Sequence, residues 1–284
     1  MDNYGFKLND LESEDIIYHY TSSEIALQYI LYSRQLRLSP RNNAIDPIEM
    51  MFPDITSGTL AHDDYEMKEI VNGTTEEVKI VEKEIRKRRE DVRQLSFCMN
   101  NKELENEKPL EYFGCLKPRM WDQYANNYKG VCLAFSLKEL RKQLKPDNFI
   151  HKKVEYVNYS TLIQNHDRIN CNMLYDLGIE KYKAKHFEKI DRDIFRKHED
   201  YLGETEYRVC SYSNNEFVNL KFNDALKAIV ISGHNSPYFQ QILIDRAKDL
   251  NVEYMIFKWK GSGLQINHPE KNYEIQKLII SKEN

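Results

Sequence analysis

Short apolar segments of strand length, separated by long charged segments, constrain the fold of this chain more than any other feature of its sequence. The strand-like segments include DIIYHYT, QLSFCMN, KGVCLAF, LKAIVISG and VEYMIFKWK. Charged helical patterns at residues 62–93 and 160–200 interrupt their succession. Strands and helices in this order are typical of an α+β fold. Because 284 residues suffice for one large core, we expect a single domain over residues 1–284 with helical insertions at these two places.

The periodicity changes from strand to helix at YHYTSSE, residues 18–24. Thr21 and Glu24 fit a capping box, which predicts that a helix begins there and runs to about Ser33. His19 would then lie at the end of the strand, close to the unpaired N–H groups of the helix, where an anionic ligand is favoured. A histidine at this position either contacts a ligand or ties the strand to the helix.

Composition and motifs argue against several classes of protein. The 41 Lys and Arg residues against 45 Asp and Glu residues give a formal net charge of −4, which disfavours binding to nucleic acid through bulk positive charge. The RKRR run at residues 86–89 is flanked by glutamates and fits a solvated helix face better than a nucleic-acid contact. No P-loop, GxGxxG, HExxH or GxSxG motif is present, so the sequence predicts no site of the usual NTPase, Rossmann, zincin or α/β-hydrolase type.

The cysteines and the N-terminal residues indicate the cellular compartment. The five cysteines are widely spaced, without a CxxC pair or a Cys/His cluster at zinc spacing. We therefore expect reduced, mostly buried thiols and no metal. The first residues are polar and acidic, unlike a signal peptide, and no apolar run approaches the ~18 residues of a membrane span. These features predict a soluble cytoplasmic protein without a membrane partner.

Two clusters later in the chain combine aromatic and charged groups. Trp121 and Tyr124 lie one turn apart in a predicted helix, where they form either a wall for a planar ring or part of the core. In ETEYR, a strand would direct Glu204, Glu206 and Arg208 to one face. Two carboxylates on one face repel each other unless a cation or the hydroxyl groups of a ligand engage them. The cluster therefore fits a carboxylate that grips a sugar hydroxyl, or a surface ladder of Glu and Arg.

Together the motifs resemble a large, mainly bacterial family known only as a domain of unknown function. The matching segments are HYTS, LRLS, IDPIE, LSFCMN, MWDQYANNYKGVCLAF and ETEYR, at residues 19–22, 36–39, 45–49, 95–100, 120–135 and 204–208. They occur in the order of the family's motifs and span most of residues 18–210. That family is similar to a divergent branch of the ADP-ribosyltransferase fold, in which a split pair of β-sheets binds NAD. The resemblance therefore implies an ADP-ribosyltransferase-like split β-sheet core with helical insertions.

The resemblance also implies site residues. It places His19 on the first core strand, Tyr124 in the middle of the motif set and Glu206 as the catalytic glutamate. Glu204 corresponds to the first glutamate of an ExE motif, which orients the nucleophile in transferases that modify guanidinium groups. Tyr124 would stack on nicotinamide, supported by Trp121, and His19 would hold a ribose hydroxyl of NAD. The remaining expected cofactor contacts are Tyr20, Thr21, Arg208, and Arg37 or Arg41 at the pyrophosphate.

The function implied is that of an NAD-dependent ADP-ribosyltransferase that needs no metal. Cleavage of the nicotinamide–ribose bond passes through an oxocarbenium-like state, which a carboxylate beside the ribose stabilises. The acceptor would be a protein or a nucleic acid, for which Lys, Arg and Tyr of residues 160–200 are available.

The resemblance further implies a toxin-like effector of bacterial antiphage defence or of a toxin–antitoxin pair, with an antitoxin or chaperone as a partner. Two alternatives stay open. One is an NAD glycohydrolase, in which water takes the place of the acceptor. The other is a binding module of the same fold that senses a nucleotide or a phage protein without turnover.

Overall fold

The structure is a computed structural model that describes residues 15–41, 56–58, 64–106, 112–163, 168–260 and 263–267. The IDPIE motif at residues 45–49 lies outside the described residues. The strands are β1 (Ile16–Ser22), β2 (Gln35–Pro40), β3 (Thr56–Gly58), β4 (Val92–Met99), β5 (Gly130–Ser136), β6 (Ile150–Lys153), β7 (Glu155–Val157), β8 (Arg168–Asn170), β9 (Arg196–His198), β10 (Glu206–Tyr212), β11 (Val218–Lys221), β12 (Leu226–Ser232), β13 (Glu253–Lys260) and β14 (Gly263–Asn267).

The helices lie between these strands. They are α1 (residues 23–33, with a π-helical segment Ala26–Ile30), α2 (Asp64–Glu90), α3 (Pro118–Tyr124), α4 (Leu137–Arg141), α5 (Tyr159–Ile163), α6 (Cys171–Leu177), α7 (Ile179–Asp193) and α8 (Pro237–Leu250). None of the helices in the described part of the chain is both long and apolar enough to cross a membrane.

A mostly antiparallel sheet organises the molecule. Among the described residues its strands follow the order β11-β2-β4-β1-β5-β12-β13-β14, and β10 pairs with both β4 and β6. Within this sheet β12 and β13 run parallel, whereas β3 with β8 and β7 with β9 form two small parallel pairs. A mostly antiparallel sheet with several helices confirms the α+β class predicted from the order of segments.

The sheet opens between β1 and β2 because both strands pair with the same edge of β4 at different places. Tyr18 of β1 lies opposite Cys98, and Ser39 of β2 lies opposite Gln94. On this edge, residues 95–97 of β4 pair with no strand of the described chain, whereas the other edge of β4 pairs with β10 along its length. This fork in the sheet creates the space in which the candidate site lies.

The start of α1 differs from the prediction. Ser22 is the N-cap, and its Oγ accepts the N–H of Ile25 at 3.2 Å. Thr21 lies inside β1, where it pairs with Val131, because β1 continues along β5 as far as Ser22. The predicted capping box of Thr21 and Glu24 is therefore wrong, and His19 lies in the middle of its strand.

The two charged segments pack against each other as helices. The predicted insertion at residues 62–93 is largely the helix α2, which contacts α6 and α7 through buried apolar side chains such as Ile85 and Ile190. Residues 160–200 are not entirely helical, because they also contain β8 and β9. Strands of three residues depend on distant partners, here β3 and β7, and local periodicity did not predict them.

The C-terminal part of the described chain follows the sequence pattern closely. Ser236 caps α8, its Oγ accepts the N–H of Phe239 at 3.3 Å, and Pro237 occupies the first helical position. The segment VEYMIFKWK forms β13, but it is not the last strand, since β14 follows it. All five cysteines are buried and none forms a disulfide, as their spacing predicted.

Candidate functional site

A cavity of about 220 Å³ lies at the fork between β1 and β2. The polar and aromatic residues that line it come from segments far apart in the chain: Tyr18, His19, Tyr20, Arg37, Ser39, Gln94, Ser96, Phe97, Tyr124, Lys197, Glu204 and Glu206. Sites for drug-sized ligands usually measure roughly 300–1,000 Å³. The cavity therefore has room for part of such a ligand, and the rest would extend past its mouth.

Glu206 is a buried carboxylate held by two cations and a hydroxyl. Arg208 contacts both of its oxygens, from Nε to Oε1 at 2.6 Å and from Nη2 to Oε2 at 2.9 Å. Ser96 Oγ donates to Oε1 at 2.6 Å, and Lys197 Nζ lies 3.5 Å from Oε2. Burial raises the pKa of Glu206, but Arg208, Lys197 and Ser96 outweigh burial and hold the pKa below its usual range. Glu206 is therefore an anion at neutral pH.

Glu204 has a different environment, although it lies two residues away. Its Oε2 accepts a hydrogen bond from Lys197 Nζ at 2.7 Å, and its Oε1 accepts one from the hydroxyl of Tyr124 at 3.2 Å. Burial raises the pKa of Glu204, and Lys197 offsets only part of that effect. Of the two carboxylates, Glu206 is the fixed anion and Glu204 is the better proton acceptor.

The backbone at Thr205 sets the geometry of the glutamate pair. Thr205 adopts the left-handed conformation, with φ 50° and ψ 57°, which is uncommon for a residue other than glycine. Lys117 Nζ donates to Thr205 Oγ1 at 2.6 Å, and the N–H of Met99 donates to the Thr205 carbonyl at 2.9 Å. Glu204 therefore ends a 3₁₀ helix, Glu199–Glu204, and does not belong to the strand, which corrects the predicted strand face.

His19 bridges the fork in the sheet. Its Nδ1 lies 3.1 Å from the carbonyl oxygen of Ser96, in the part of β4 that neither β1 nor β2 covers. Because a carbonyl only accepts, Nδ1 carries the proton in this bond. Burial lowers the pKa of His19, so the ring is neutral at pH 7 and its Nε2 is a hydrogen-bond acceptor. His19 thus offers an acceptor to a donor such as a ribose hydroxyl.

Tyr124 is the last residue of α3, and the chain that follows it passes close to β1. Gly130 begins β5 so close to β1 that a Cβ there would lie 2.2 Å from the carbonyl oxygen of Thr21. Any larger residue would push α3 and the adjacent turn away from β1, because the same Cβ would also meet Ala125. The glycine of the YKG segment therefore lets the chain that follows α3 pass close to β1.

Trp121 does not join Tyr124 in the cavity. Its side chain is fully buried, its ring centroid lies 4.3 Å from that of Phe257 and 5.2 Å from that of Tyr20, and its Nε1 donates to the carbonyl of Cys115 at 2.8 Å. These contacts place Trp121 in the core beneath the site, so the structure does not bring it to a position where it could stack on a ligand.

We expect Trp121→Phe to lower the free energy of unfolding by about 1–3 kcal/mol, because it shrinks a buried ring and leaves the carbonyl of Cys115 without its donor. Denaturant unfolding followed by circular dichroism measures the change. Ligand affinity should stay within about twofold of the wild type; a large loss of affinity without loss of stability would instead support a direct contact with the ligand.

Arg37 and Ser39 of β2 and Gln94 of β4 supply polar groups on the β2 side of the cavity. Arg37 is exposed, and its guanidinium lies 4.1 Å above the ring of Phe217. Gln94 Oε1 is buried and has no hydrogen-bond partner among the described residues. A buried acceptor without a partner is costly, and a ligand hydroxyl or amide N–H would satisfy it.

Besides Trp121, three of the predicted cofactor contacts do not line the cavity. Arg208 lies behind Glu206 and also donates to the carbonyl of Ile194 at 2.6 Å. Thr21 is buried within β1, and Arg41 follows β2 outside the cavity. Tyr20 does line the cavity, but its hydroxyl donates to the carbonyl of Gly114 at 2.6 Å.

The sequence did not single out Lys197 or Gln94. Lys197 lies between the two glutamates, yet its neighbours in RKHED are typical of a solvated surface. Ser96 lies within LSFCMN, one of the motif segments, but no role was predicted for it. Only the pairing of β4 with β10, which sets Ser96 opposite Arg208, reveals its contact with Glu206.

Comparison with known protein families gives a match over part of the chain. A family model described as "Protein of unknown function (DUF2971)" matches residues 120–209, from α3 to β10. The matched range contains Tyr124, Lys197, Glu204 and Glu206, whereas His19 and the β2 side of the cavity precede it. No curated protein and no solved structure gives a significant match. Residues 120–209 are thus similar to a protein family whose function is unknown.

Proposed function

We propose that this protein is an NAD-dependent ADP-ribosyltransferase. The observation that supports this most directly is the convergence of His19, Tyr124, Glu204 and Glu206 on one cavity, although they come from three distant parts of the chain. The resemblance to a divergent ADP-ribosyltransferase fold implied these same residues from short motifs. Their convergence on one cavity supports the shared role that the resemblance implied.

The proposed reaction begins with heterolytic cleavage of the bond between nicotinamide nitrogen and ribose C1′. The electron pair of this bond passes to the cationic ring nitrogen, so nicotinamide leaves as a neutral molecule and needs no proton. Positive charge then develops on the ribose, where the fixed negative charge of Glu206 stabilises it. A nucleophile of the acceptor bonds to C1′, and Glu204, whose pKa burial raises, accepts the proton that the nucleophile releases.

Other residues that line the cavity would bind the nicotinamide ribosyl end of NAD and its pyrophosphate. The cavity has room for the nicotinamide ribosyl end, with Tyr124 beside the ring. Nε2 of His19 accepts a ribose hydroxyl, and the unpartnered Gln94 Oε1 accepts a second donor. Arg37 lies exposed at the mouth, where the pyrophosphate would leave the cavity.

Labelled NAD tests the proposal. The purified protein is incubated with cell lysate and with NAD that carries a label in its adenosine, and released nicotinamide and acid-insoluble label are measured together. We expect both to appear, and the sensitivity of the label to nuclease or protease identifies the acceptor. The proposal would be overturned if the protein released no more nicotinamide than a sample without enzyme, whichever acceptor fraction was added.

One observation favours a binding module as a second candidate. Arg208, Ser96 and Lys197 engage both oxygens of Glu206, as in a structural ion pair. NAD binding by calorimetry without any release of nicotinamide would favour that function. Nicotinamide release without labelled macromolecules would instead indicate an NAD glycohydrolase.

The biological role that we propose is that of a toxin-like effector in antiphage defence or in a toxin–antitoxin pair, held in check by a separate antitoxin or chaperone. This role rests on the family resemblance. This role would be supported if induced expression of the protein arrested bacterial growth and a variant without NAD turnover allowed growth.

A further inference from the structure

Lys197 is a buried cation between the two glutamates of the cavity. Its Nζ donates to Oε2 of Glu204 at 2.7 Å and lies 3.5 Å from Oε2 of Glu206. Arg208 also pairs with Glu206, at 2.6 Å. Within this group, two cations therefore balance the charge of the two carboxylates before any substrate enters.

The fold keeps Lys197 in this place. Its strand, β9, pairs with β7, where Tyr156 lies opposite Lys197. The hydroxyl of Tyr156 in turn accepts the N–H of Glu206 at 2.8 Å. At the end of the lysine side chain, Nζ lies 4.5 Å from the centre of the Tyr201 ring. Because backbone pairing and side-chain contacts both hold the lysine, we expect it to stay at Glu204 when a substrate approaches.

Glu204 leaves one of its two oxygens to an acceptor. Oε2 accepts the short bond from Lys197, whereas Oε1 accepts the longer bond from the hydroxyl of Tyr124, at 3.2 Å. A carboxylate typically binds a guanidinium through two parallel N–H bonds, one to each oxygen. Lys197 occupies one of these positions, so the fork of an arginine does not fit. A hydroxyl donates a single hydrogen bond and needs Oε1 alone, where it would replace the hydroxyl of Tyr124.

Further positive side chains lie near Glu204. Lys117 is buried, and its Nζ lies 3.4 Å from the main-chain carbonyl oxygen of Glu204. Arg119 is exposed, and its guanidinium lies 4.4 Å from the centre of the Tyr201 ring, which Lys197 also contacts. A guanidinium stays protonated at physiological pH, so an arginine acceptor would meet like charges here.

We propose that Lys197 restricts the acceptor of the ADP-ribosyl group to a hydroxyl and excludes guanidinium groups. This inference rests on the proposed function, since it names the chemical class of the acceptor. The ExE resemblance linked Glu204 to transferases that modify guanidinium groups. Lys197 is the residue of this chain that argues against such an acceptor.

A hydroxyl acceptor fits the charge balance of the reaction. Its oxygen forms the new bond to ribose C1′ in place of the nicotinamide nitrogen, and its proton passes to Oε1 of Glu204. The electron pair of the broken bond stays with nicotinamide, which leaves as a neutral molecule. Lys197 remains at Oε2 throughout. An arginine would instead bring another positive charge next to the ribose, where positive charge is developing.

Two small acceptors built on the same carbon chain test the proposal. Agmatine ends in a guanidinium, and aminobutanol has a hydroxyl in its place. The purified protein is incubated with NAD and each acceptor, mass spectrometry measures the ADP-ribosyl product, and nicotinamide release is recorded in parallel. We expect the wild type to form at least about ten times more product with aminobutanol than with agmatine, because like charges at the site disfavour the guanidinium.

Replacement of the lysine should relax this preference. Lys197→Met removes the charge and keeps much of the length of the side chain. We expect it to shift the ratio of the two products at least about tenfold towards agmatine, whose guanidinium can then take the place of the missing ammonium. Lys197→Arg keeps a cation at Glu204 and should retain the wild-type preference. A Lys197→Met protein that is folded and active but keeps the wild-type ratio would overturn the proposal.

The pH profile separates this role from a merely structural one. Lys197 lowers the pKa of Glu204 and offsets part of the effect of burial. Glu204 must be ionised to accept the proton of the hydroxyl, so transfer to aminobutanol is lost as the pH falls through this pKa. In Lys197→Met the pKa of Glu204 rises, and we expect the acid limb of the profile to move to higher pH, whereas Lys197→Arg should keep the wild-type profile. The product ratios are compared at a pH above this limb.

A second variant keeps the test valid if Lys197→Met does not fold. Arg119→Met removes an exposed cation near Glu204 and leaves the buried ion pairs intact. We expect it to shift the ratio towards agmatine by about threefold, because solvent screens an exposed charge. Its control, Lys138→Met, removes an exposed cation from α4 and should leave the ratio unchanged. Equal ratios in Arg119→Met, Lys138→Met and the wild type would contradict the proposal.

Nicotinamide release by the wild type separates this inference from the proposed function. If nicotinamide is released and agmatine is modified at least as readily as aminobutanol, the acceptor inference fails and the transferase stands. If no nicotinamide is released with either acceptor, the proposed function fails and the acceptor inference fails with it. If the wild type prefers aminobutanol and Lys197→Met loses that preference, both stand. Labelled NAD in cell lysate then shows, by the sensitivity of the label to protease or nuclease, whether the hydroxyl belongs to a protein or to a nucleic acid.

Discussion

Glu206→Gln is expected to reduce nicotinamide release by on the order of 10³-fold, because a carboxamide has no charge to stabilise the oxocarbenium-like ribose. The side chain keeps its size and can still accept the hydrogen bond from Ser96. Initial rates of nicotinamide release at saturating NAD measure the effect. The affinity for NAD should change far less than the rate, since the lost interaction strengthens only as charge develops.

The control for this variant is Glu155→Gln. Glu155 is exposed and pairs with Arg196 at 2.9 Å, so its replacement removes one carboxylate without touching the cavity. We expect wild-type rates from it. Because Glu206→Gln also leaves Arg208 without its anion, each variant is assayed at a temperature where circular dichroism shows it to be folded. A folded Glu206→Gln protein with wild-type turnover would refute the role of Glu206.

Arg208→Met is expected to lower the free energy of unfolding by about 3–5 kcal/mol, the range seen when one partner of a buried ion pair is removed. Arg208 is fully buried and holds both oxygens of Glu206 as well as the carbonyl of Ile194. Without it, the carboxylate keeps only Ser96 and the more distant Lys197. Urea unfolding at pH 7 measures the loss.

The pH dependence of stability provides a second measurement of the same ion pair. The pKa of Glu206 is lower in the folded protein than the ~4.3 expected for an unfolded chain. Its contribution to stability is therefore fully present above pH ~4.3 and is lost as the pH falls through the folded pKa. In Arg208→Met the pKa of Glu206 in the folded protein rises, because its cation is missing. The stability that this carboxylate loses on acidification should therefore become smaller, or acidification should increase the stability instead.

Two further variants make the comparison specific. Arg196→Met breaks the partly exposed pairs with Glu155 and Asp193 and should cost no more than about 2 kcal/mol, because each such pair contributes at most about 1 kcal/mol. Glu206→Leu/Arg208→Met removes both buried charges and should recover much of the stability lost in Arg208→Met. If Arg208→Met proved no less stable than Arg196→Met, the buried pair would not stabilise the fold as described.

Part of the candidate site was predictable because its residues stand in short, recognisable motifs. His19, Tyr124, Glu204 and Glu206 were named from HYTS, from the MW segment and from ETEYR, and the structure places all four at one cavity. Trp121 was named from the same kind of motif, yet it lies in the core. A helical spacing of three residues does not determine which side chain faces a cavity, because that depends on what packs against the helix.

Lys197 illustrates what local patterns do not contain. It approaches the glutamates only because β9 pairs with β7 and the 3₁₀ helix then returns the chain to β10. The opposite pKa shifts of Glu204 and Glu206 have the same origin, since burial and distant partners cause them. No spacing of residues in ETEYR indicates which glutamate is the fixed anion.

The sequence by itself determined the α+β class, the capped helix α8 and the buried thiols, because these depend on periodicity, capping and apolar content over short distances. Only the tertiary structure decided the fork between β1 and β2 and the position of Lys197 between the glutamates. Each of these results from pairing between residues far apart in the chain, and such pairing leaves no periodic trace in the sequence.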